Sequence, residues 1–162
     1  MRKPKRPPLP PPPLLLKPED FPSFFMERTS FLFHRTAITM MLEFGKALAP
    51  LRIRPHHFVV MAVLSTGQPP SQIEVGAKVR YDRNKMVNIV DELEQLGLAK
   101  REVNPNDRRA KAVRLTDMGQ ATYEAALKIE TAVEEKCLSA LTAPQRKQLH
   151  EMLKIVVAAQ KK

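Results

Sequence analysis

From residue 23 to residue 160 the apolar positions keep a helical spacing almost everywhere, but between residues 98 and 115 they alternate. The first helical pattern covers 23–48, with Ser23 as its cap. It is apolar on more than one stripe: Phe24, Phe25, Met26, Phe31, Leu32, Phe33, Ile38, Met40, Met41, Leu42 and Phe44. Such a helix is covered on several sides. In a chain of 162 residues the economical cover is a second copy. Pro55 opens a second helix to about Leu64. Thr116 and Asp117 cap a long helix to about Ala140. Thr142 and Gln145 cap a last one through Gln160, with Leu149, Met152, Leu153, Val156 and Val157 inward.

The stretch from Ser71 to Thr116 is denser in signals. Ser71 followed by Glu74 is a capping box, and Pro69-Pro70 stops any earlier helix from running on. Ile73, Ala77 and Val79 give that short helix its inward face. Arg80 and Tyr81 make a turn. Asp82 caps the next helix, whose inward residues are Met86, Ile89, Val90, Leu93 and Leu96. Gly97 supplies a left-handed stop. Leu98, Lys100 and Glu102 then alternate with Ala99, Arg101 and Val103, as on a strand. Asn104-Pro105-Asn106-Asp107 is a turn, and Ala112 to Leu115 return.

Charge sharpens this picture. The chain carries a formal net charge of +10, which favours a polyanionic partner. From Lys100 to Arg114 there are six basic residues against two acidic ones. Arg83, Asn84, Lys85 and Asn88 occupy the outer face at the start of one helix, suited to base edges in a major groove. Asp91, Glu92 and Glu94 keep its far end away from phosphates. Arg108, Arg109 and Lys111 sit on the hairpin tip, where an arginine suits a narrow minor groove. Asp107 is placed to orient Arg109 as a bidentate partner. Lys78, Arg80, Lys100 and Arg101 are further candidates for phosphate contact.

Taken together, D-x-R at Asp107 and Arg109, V-R-L-T at Val113–Thr116 and V-D-E-L-E-Q-L-G-L at Val90–Leu98 resemble the MarR family of dimeric winged-helix transcriptional regulators. The resemblance covers roughly residues 24–160. It implies a mainly α, α+β winged-helix fold: a winged helix-turn-helix DNA-binding lobe at 55–116, and dimerisation helices at 23–50 and 117–162. It also implies a homodimer on double-stranded DNA, with a pseudo-palindromic operator whose half-sites lie about 10 bp apart. The chain departs from the family at the start of the recognition helix. Asn84, Lys85, Val87 and Asn88 stand where small hydroxyl residues are common.

The family also implies a small effector, an aromatic acid or its thioester, in a cleft among the first, second and fifth predicted helices. Arg35, with His34 or His57, is the expected anchor for its anionic group, and Phe31 and Met61 belong to the apolar lining. Residues 1–22 hold nine of the fifteen prolines behind Arg2, Lys3, Lys5 and Arg6, and read as an extended basic arm. Its apolar part is broken by proline, so it makes a poor signal peptide, and no apolar run is long enough for a membrane span.

The single Cys137 fits a reducing cytoplasm and reads as an inert, buried thiol. The reactive cysteine that redox-sensing relatives carry in the first helix is missing. The four histidines show no metal-ligand spacing, and His56 and His57 have no carboxylate nearby in sequence. No nucleophile, phosphate loop or cofactor motif points to an enzyme. The function these signals imply is that of a repressor released by a ligand. Its alternatives are an effector-independent architectural protein and an adaptor acting through the proline arm.

Overall fold

The computed structural model describes residue 17 and residues 21–67, 70–104 and 107–160; the side chains of residues 104 and 107–110 lie outside that description. The arm expected at 1–22 falls outside it too, save Lys17, Phe21 and Pro22. The chain divides into two units, Met1–Glu43 and Phe44–Lys162.

In the first unit the expected single helix is split. Pro22 caps a four-residue helix α1 (Ser23–Met26), and α2 (Thr29–Leu48) starts afresh, so Ser23 is not the cap. The Arg28 amide donates to the Phe25 carbonyl, and the Arg28 carbonyl accepts from Phe31 and Leu32. Thr29 and Ser30 stand at that junction, and such hydroxyl residues favour helix ends over interiors. The break lets the aromatics cluster: Phe21 lies edge-on to Phe31 at 5.0 Å, and Phe25 lies 5.2 Å from Phe31.

The second unit holds the core. After a 3-10 turn at Ala49–Leu51 come α3 (Pro55–Leu64), α4 (Gln72–Val79), α5 (Arg83–Gln95), β1 (Ala99–Asn104), β2 (Asp107–Leu115), α6 (Asp117–Cys137) and α7 (Ala143–Ala159). Leu48, Val60, Met61, Val75, Met86, Val90, Leu93 and Val113 are wholly buried. Truncating one of the larger ones to alanine costs about 2–5 kcal/mol. The caps follow the sequence. Ser71 Oγ accepts from the Glu74 amide, Asp82 Oδ1 from the Lys85 amide and Thr116 Oγ1 from the Gly119 amide. Gly97 sits at φ 71.

The strands pair antiparallel, Ala99 opposite Leu115 and Glu102 opposite Ala112, with an irregularity at Val103/Asn104. The return strand is longer than expected, starting at Asp107 rather than Ala112. The start of α4 is stitched to it: the Val113 amide donates to the Pro70 carbonyl at 3.0 Å. Gly119 is obligatory where α6 begins, because a Cβ there would lie 1.8 Å from the Leu98 carbonyl oxygen.

Two inward faces differ from expectation. In α4 the buried residues are Val75 and Gly76, while Ile73 is 79% exposed and Ala77 is exposed. The helix crosses α5 at Gly76, where an added Cβ would stand 3.0 Å from Met86 Cγ, and this close crossing turns Ile73 outward. In α7 nothing is buried, and Met152, Val156 and Val157 are about half exposed because nothing among the described residues of the second unit covers them.

Candidate nucleic-acid interface

α4 and α5 form a helix-turn-helix through Arg80, Tyr81 and Asp82. Arg80 takes the left-handed conformation (φ 56, ψ 41), and the Tyr81 amide donates to the Gly76 carbonyl. This turn sets the first residues of α5 outward: Arg83, Asn84, Lys85 and Asn88 are all exposed. Lys85 is steered, its Nζ lying 3.7 Å from the centroid of the Tyr81 ring. Between α4, the start of α5 and the strand pair lies an open cleft of about 750 Å³, lined among others by Gln72, Ile73, Tyr81, Arg83, Val87 and Lys111. The outward turn of Ile73 is thus part of the cleft wall.

The cations of the strand pair fall into three sets. Arg101 is not a free phosphate contact, as the sequence left open. Its side chain is 18% exposed and bonded to Asp91 and Glu94 of α5, and Gln72 Oε1 accepts from both its Nε and Nη2. Lys100 and Arg114 face each other across the strands with Glu102 between them, at 2.6 and 3.5 Å. The Lys100 hydrogen bond holds the Glu102 carboxyl below the usual range. Lys111 is exposed beside the cleft. The side chains of Asp107, Arg108 and Arg109, and so the expected Asp107–Arg109 pair, lie outside the described residues.

The residues expected at an effector cleft are drawn from both units. Met61 is wholly buried and His57 is 2% exposed, both within the second unit. In the first unit Phe31 is half-buried among the aromatics, His34 is exposed, and the Arg35 guanidinium lies 5.6 Å from the Phe21 centroid.

One contact was invisible to sequence spacing. His57 and Glu92, 35 residues apart, meet with Nε2 and Oε2 at 2.7 Å, and His56 Nε2 is 3.9 Å from the same oxygen. The carboxylate that sequence spacing does not give these histidines comes from packing: α3 packs on α5 and brings Glu92 to them. Cys137 is half-buried and packs against the core. Among the described residues no helix is long and apolar enough to cross a membrane.

The comparisons agree with this geometry. The sequence profile of the MarR family matches residues 53–111, the span from the turn before α3 to the far strand of the hairpin. The HTH-type transcriptional repressor Rv2887 of Mycobacterium tuberculosis (strain ATCC 25618 / H37Rv) is 27% identical over 123 residues, covering 76% of this chain and 88% of the relative. Wild-type MarR from E. coli, in its apo form, superposes with a TM-score of 0.72 at 25% identity, over 80% of this chain and 96% of that one. The transcriptional repressor CouR bound to a 23-mer DNA duplex superposes with a TM-score of 0.74 at 28% identity, over 82% of this chain and 94% of that one. CouR from Rhodococcus jostii RHA1 bound to p-coumaroyl-CoA gives 0.70 at 25% identity, over 82% and 93%. Regulators of this kind are generally not enzymes. The helix-turn-helix built on Gly76 and Asp82, the two-stranded wing and these likenesses give this chain a winged-helix fold similar to that of MarR-family regulators, with the family's own profile matched over residues 53–111.

Proposed function

We propose that this protein is a homodimeric transcriptional repressor that binds a pseudo-palindromic DNA duplex and lets go when a small ligand binds. The observation that carries the reading is the outward face of α5. Arg83, Asn84, Lys85 and Asn88 project together from the first turns of the helix, while its acids are bonded inward to His57 and Arg101. On this reading those four residues meet base edges in the major groove, and Arg80 meets phosphate. Arg108, Arg109 and Lys111 on the wing meet the neighbouring minor groove, with Asp107 aiming Arg109. The DNA-bound state of CouR supports the same use of the fold. The protein acts without catalysis.

Residues 55–116 form the reading lobe in this proposal, and 23–50 with 117–162 the dimerisation helices. Support comes from apolar surface: Phe33, Met41 and Leu42 of α2, and Met152, Ile155 and Val157 of α7, are all 41–71% exposed in the single chain. The effector is an aromatic acid or its thioester, a class supported by the p-coumaroyl-CoA complex of CouR. Arg35, flanked by His34 and Phe31, is the proposed anionic anchor.

Light scattering and fluorescence anisotropy with duplexes from the DNA flanking its gene test the reading. The expected result is a dimer whose affinity falls steeply with salt and which aromatic acids displace, except in Arg35→Ala. A monomer that ignores duplex DNA in dilute salt would overturn it.

A further inference from the structure

α3 opens Arg54-Pro55-His56-His57, and its first turn has a donor to satisfy. The Arg54 amide donates to His57 Nδ1 at 3.1 Å. A nitrogen that accepts carries no proton, so the ring proton of the neutral imidazole sits on Nε2. That nitrogen faces Glu92 Oε2 at 2.7 Å. One ring, 2% exposed, thereby ties the start of α3 to the middle of α5. The hydrogen bond from His57 is the main cause holding the Glu92 carboxyl below its usual range, so Glu92 meets it as a carboxylate.

The ligand atoms of His56, His57 and Glu92 all lie within 4.8 Å of one another, close enough for a metal ion. The hydrogen-bond pattern argues against one. An ion would take the Nε2 lone pair of His57 while Nδ1 still accepts from Arg54, leaving a ring with no proton at all.

We propose that His57 is a proton-sensitive positioning residue: neutral, it holds the reading helix against α3 through Glu92, and protonated at Nδ1 it opposes the Arg54 amide, frees the first turn of α3 and weakens DNA binding. The proposal rests on α5 being the reading helix. Burial pushes the imidazole below its ordinary value, outweighing the carboxylate, so the neutral form prevails at neutral pH. The charged groups acting on it are Glu92 of α5 and Arg54 before the helix; His56 stands beside it and feels Lys85 as well. α4, α6 and β2 also pack on α3, and among the described residues they bring no charged group into that set.

The test follows duplex affinity between about pH 5 and 8 in the full-length protein and three variants. Wild type is expected to lose about tenfold in affinity toward the acid end. His57→Gln accepts from Arg54 and donates to Glu92 without titrating, and should hold its affinity throughout. His57→Glu keeps the acceptor for Arg54 but sets a second carboxylate against Glu92. It should bind about tenfold more weakly at neutral pH and recover on acidification, when the two acids share a proton. His56→Gln should keep the wild-type slope. Amide hydrogen-exchange protection at the first turn of α3, relative to the intrinsic rate at each pH, is read in parallel without DNA, and should fall at low pH in wild type but not in His57→Gln.

A wild-type slope in His57→Gln would overturn the proposal, as would normal binding by His57→Glu. So would a rise in melting temperature on adding zinc ion that vanishes in His56→Gln, since that marks a metal site. If wild type bound no duplex at any pH, the DNA reading would fail. The exchange data would then decide the clamp alone, and unchanged protection would sink it.

Discussion

Arg101 on the first wing strand meets Asp91 on the reading helix, Nη1 to Oδ1 at 2.7 Å. The strand's backbone joins in, because the Arg101 amide donates to Glu94 Oε1 at 2.7 Å. Wing and reading helix are thus fastened by a guanidinium that also grips Gln72 at the start of α4. Replacing Arg101 by lysine removes the planar fork while keeping the charge. The expected loss is about 1–2 kcal/mol of stability by urea denaturation, held to the low end because both carboxylates are partly solvated. An unchanged denaturation midpoint would show that the fork is ornamental.

Gly119→Ala should be among the most damaging single changes. Its Cβ would fall 1.8 Å from the Leu98 carbonyl oxygen, which already accepts from the Thr116 amide. The start of α6 must then move off the strand pair, at a cost of about 3 kcal/mol or more. Calorimetry should show a melting temperature several degrees lower; an alanine variant as stable as wild type would contradict the close approach.

Arg80 separates stability from binding. It holds a left-handed conformation that costs a side chain about 1–2 kcal/mol relative to glycine. Arg80→Gly should therefore raise the urea midpoint while weakening DNA binding and lowering the slope of affinity against salt by about one unit. If affinity is untouched, Arg80 is no phosphate contact.

For the wing, Arg109→Ala should cost about 1–3 kcal/mol in operator affinity with no effect on the melting temperature. Equal affinity in a gel-shift series would remove Arg109 from the interface.

Acid should unfold this protein in two stages with one sign. The His57 imidazole lies below its ordinary 6.5 when folded, so the unfolded chain takes up that proton first, and stability falls as pH drops from about 6.5 toward the folded value. The Glu92 carboxyl is likewise lowered from 4.5; its contribution is complete above 4.5 and is lost as pH falls through its folded value. His56 is likewise lowered by burial and contributes to the same stage, so in His57→Gln the first stage should shrink to the His56 part in a plot of unfolding free energy against pH.

The caps at Ser71, Asp82 and Thr116 were legible in the sequence because each is closed within three residues. The outward face of α5 was legible for a similar reason, since four buried apolar residues at helical spacing fix where the rest must point. Ile73 was misread because its helix turns on Gly76, and a glycine leaves no mark in an apolar pattern. The meeting of His57 with Glu92, and the withdrawal of Arg101 from the basic surface, depend on how α3, α5 and β1 stack. No local spacing encodes that. The break before Thr29 was hidden because the residues on both sides share one apolar, helical composition.

All three acids of the reading helix serve as internal tethers, and its outward residues carry almost none of the scaffold's upkeep. Arg83, Asn84 and Asn88 can accordingly be exchanged as a cassette. On the proposed reading of α5, new target sequences are within reach of a handful of surface substitutions, while the frame that presents them stays as it is.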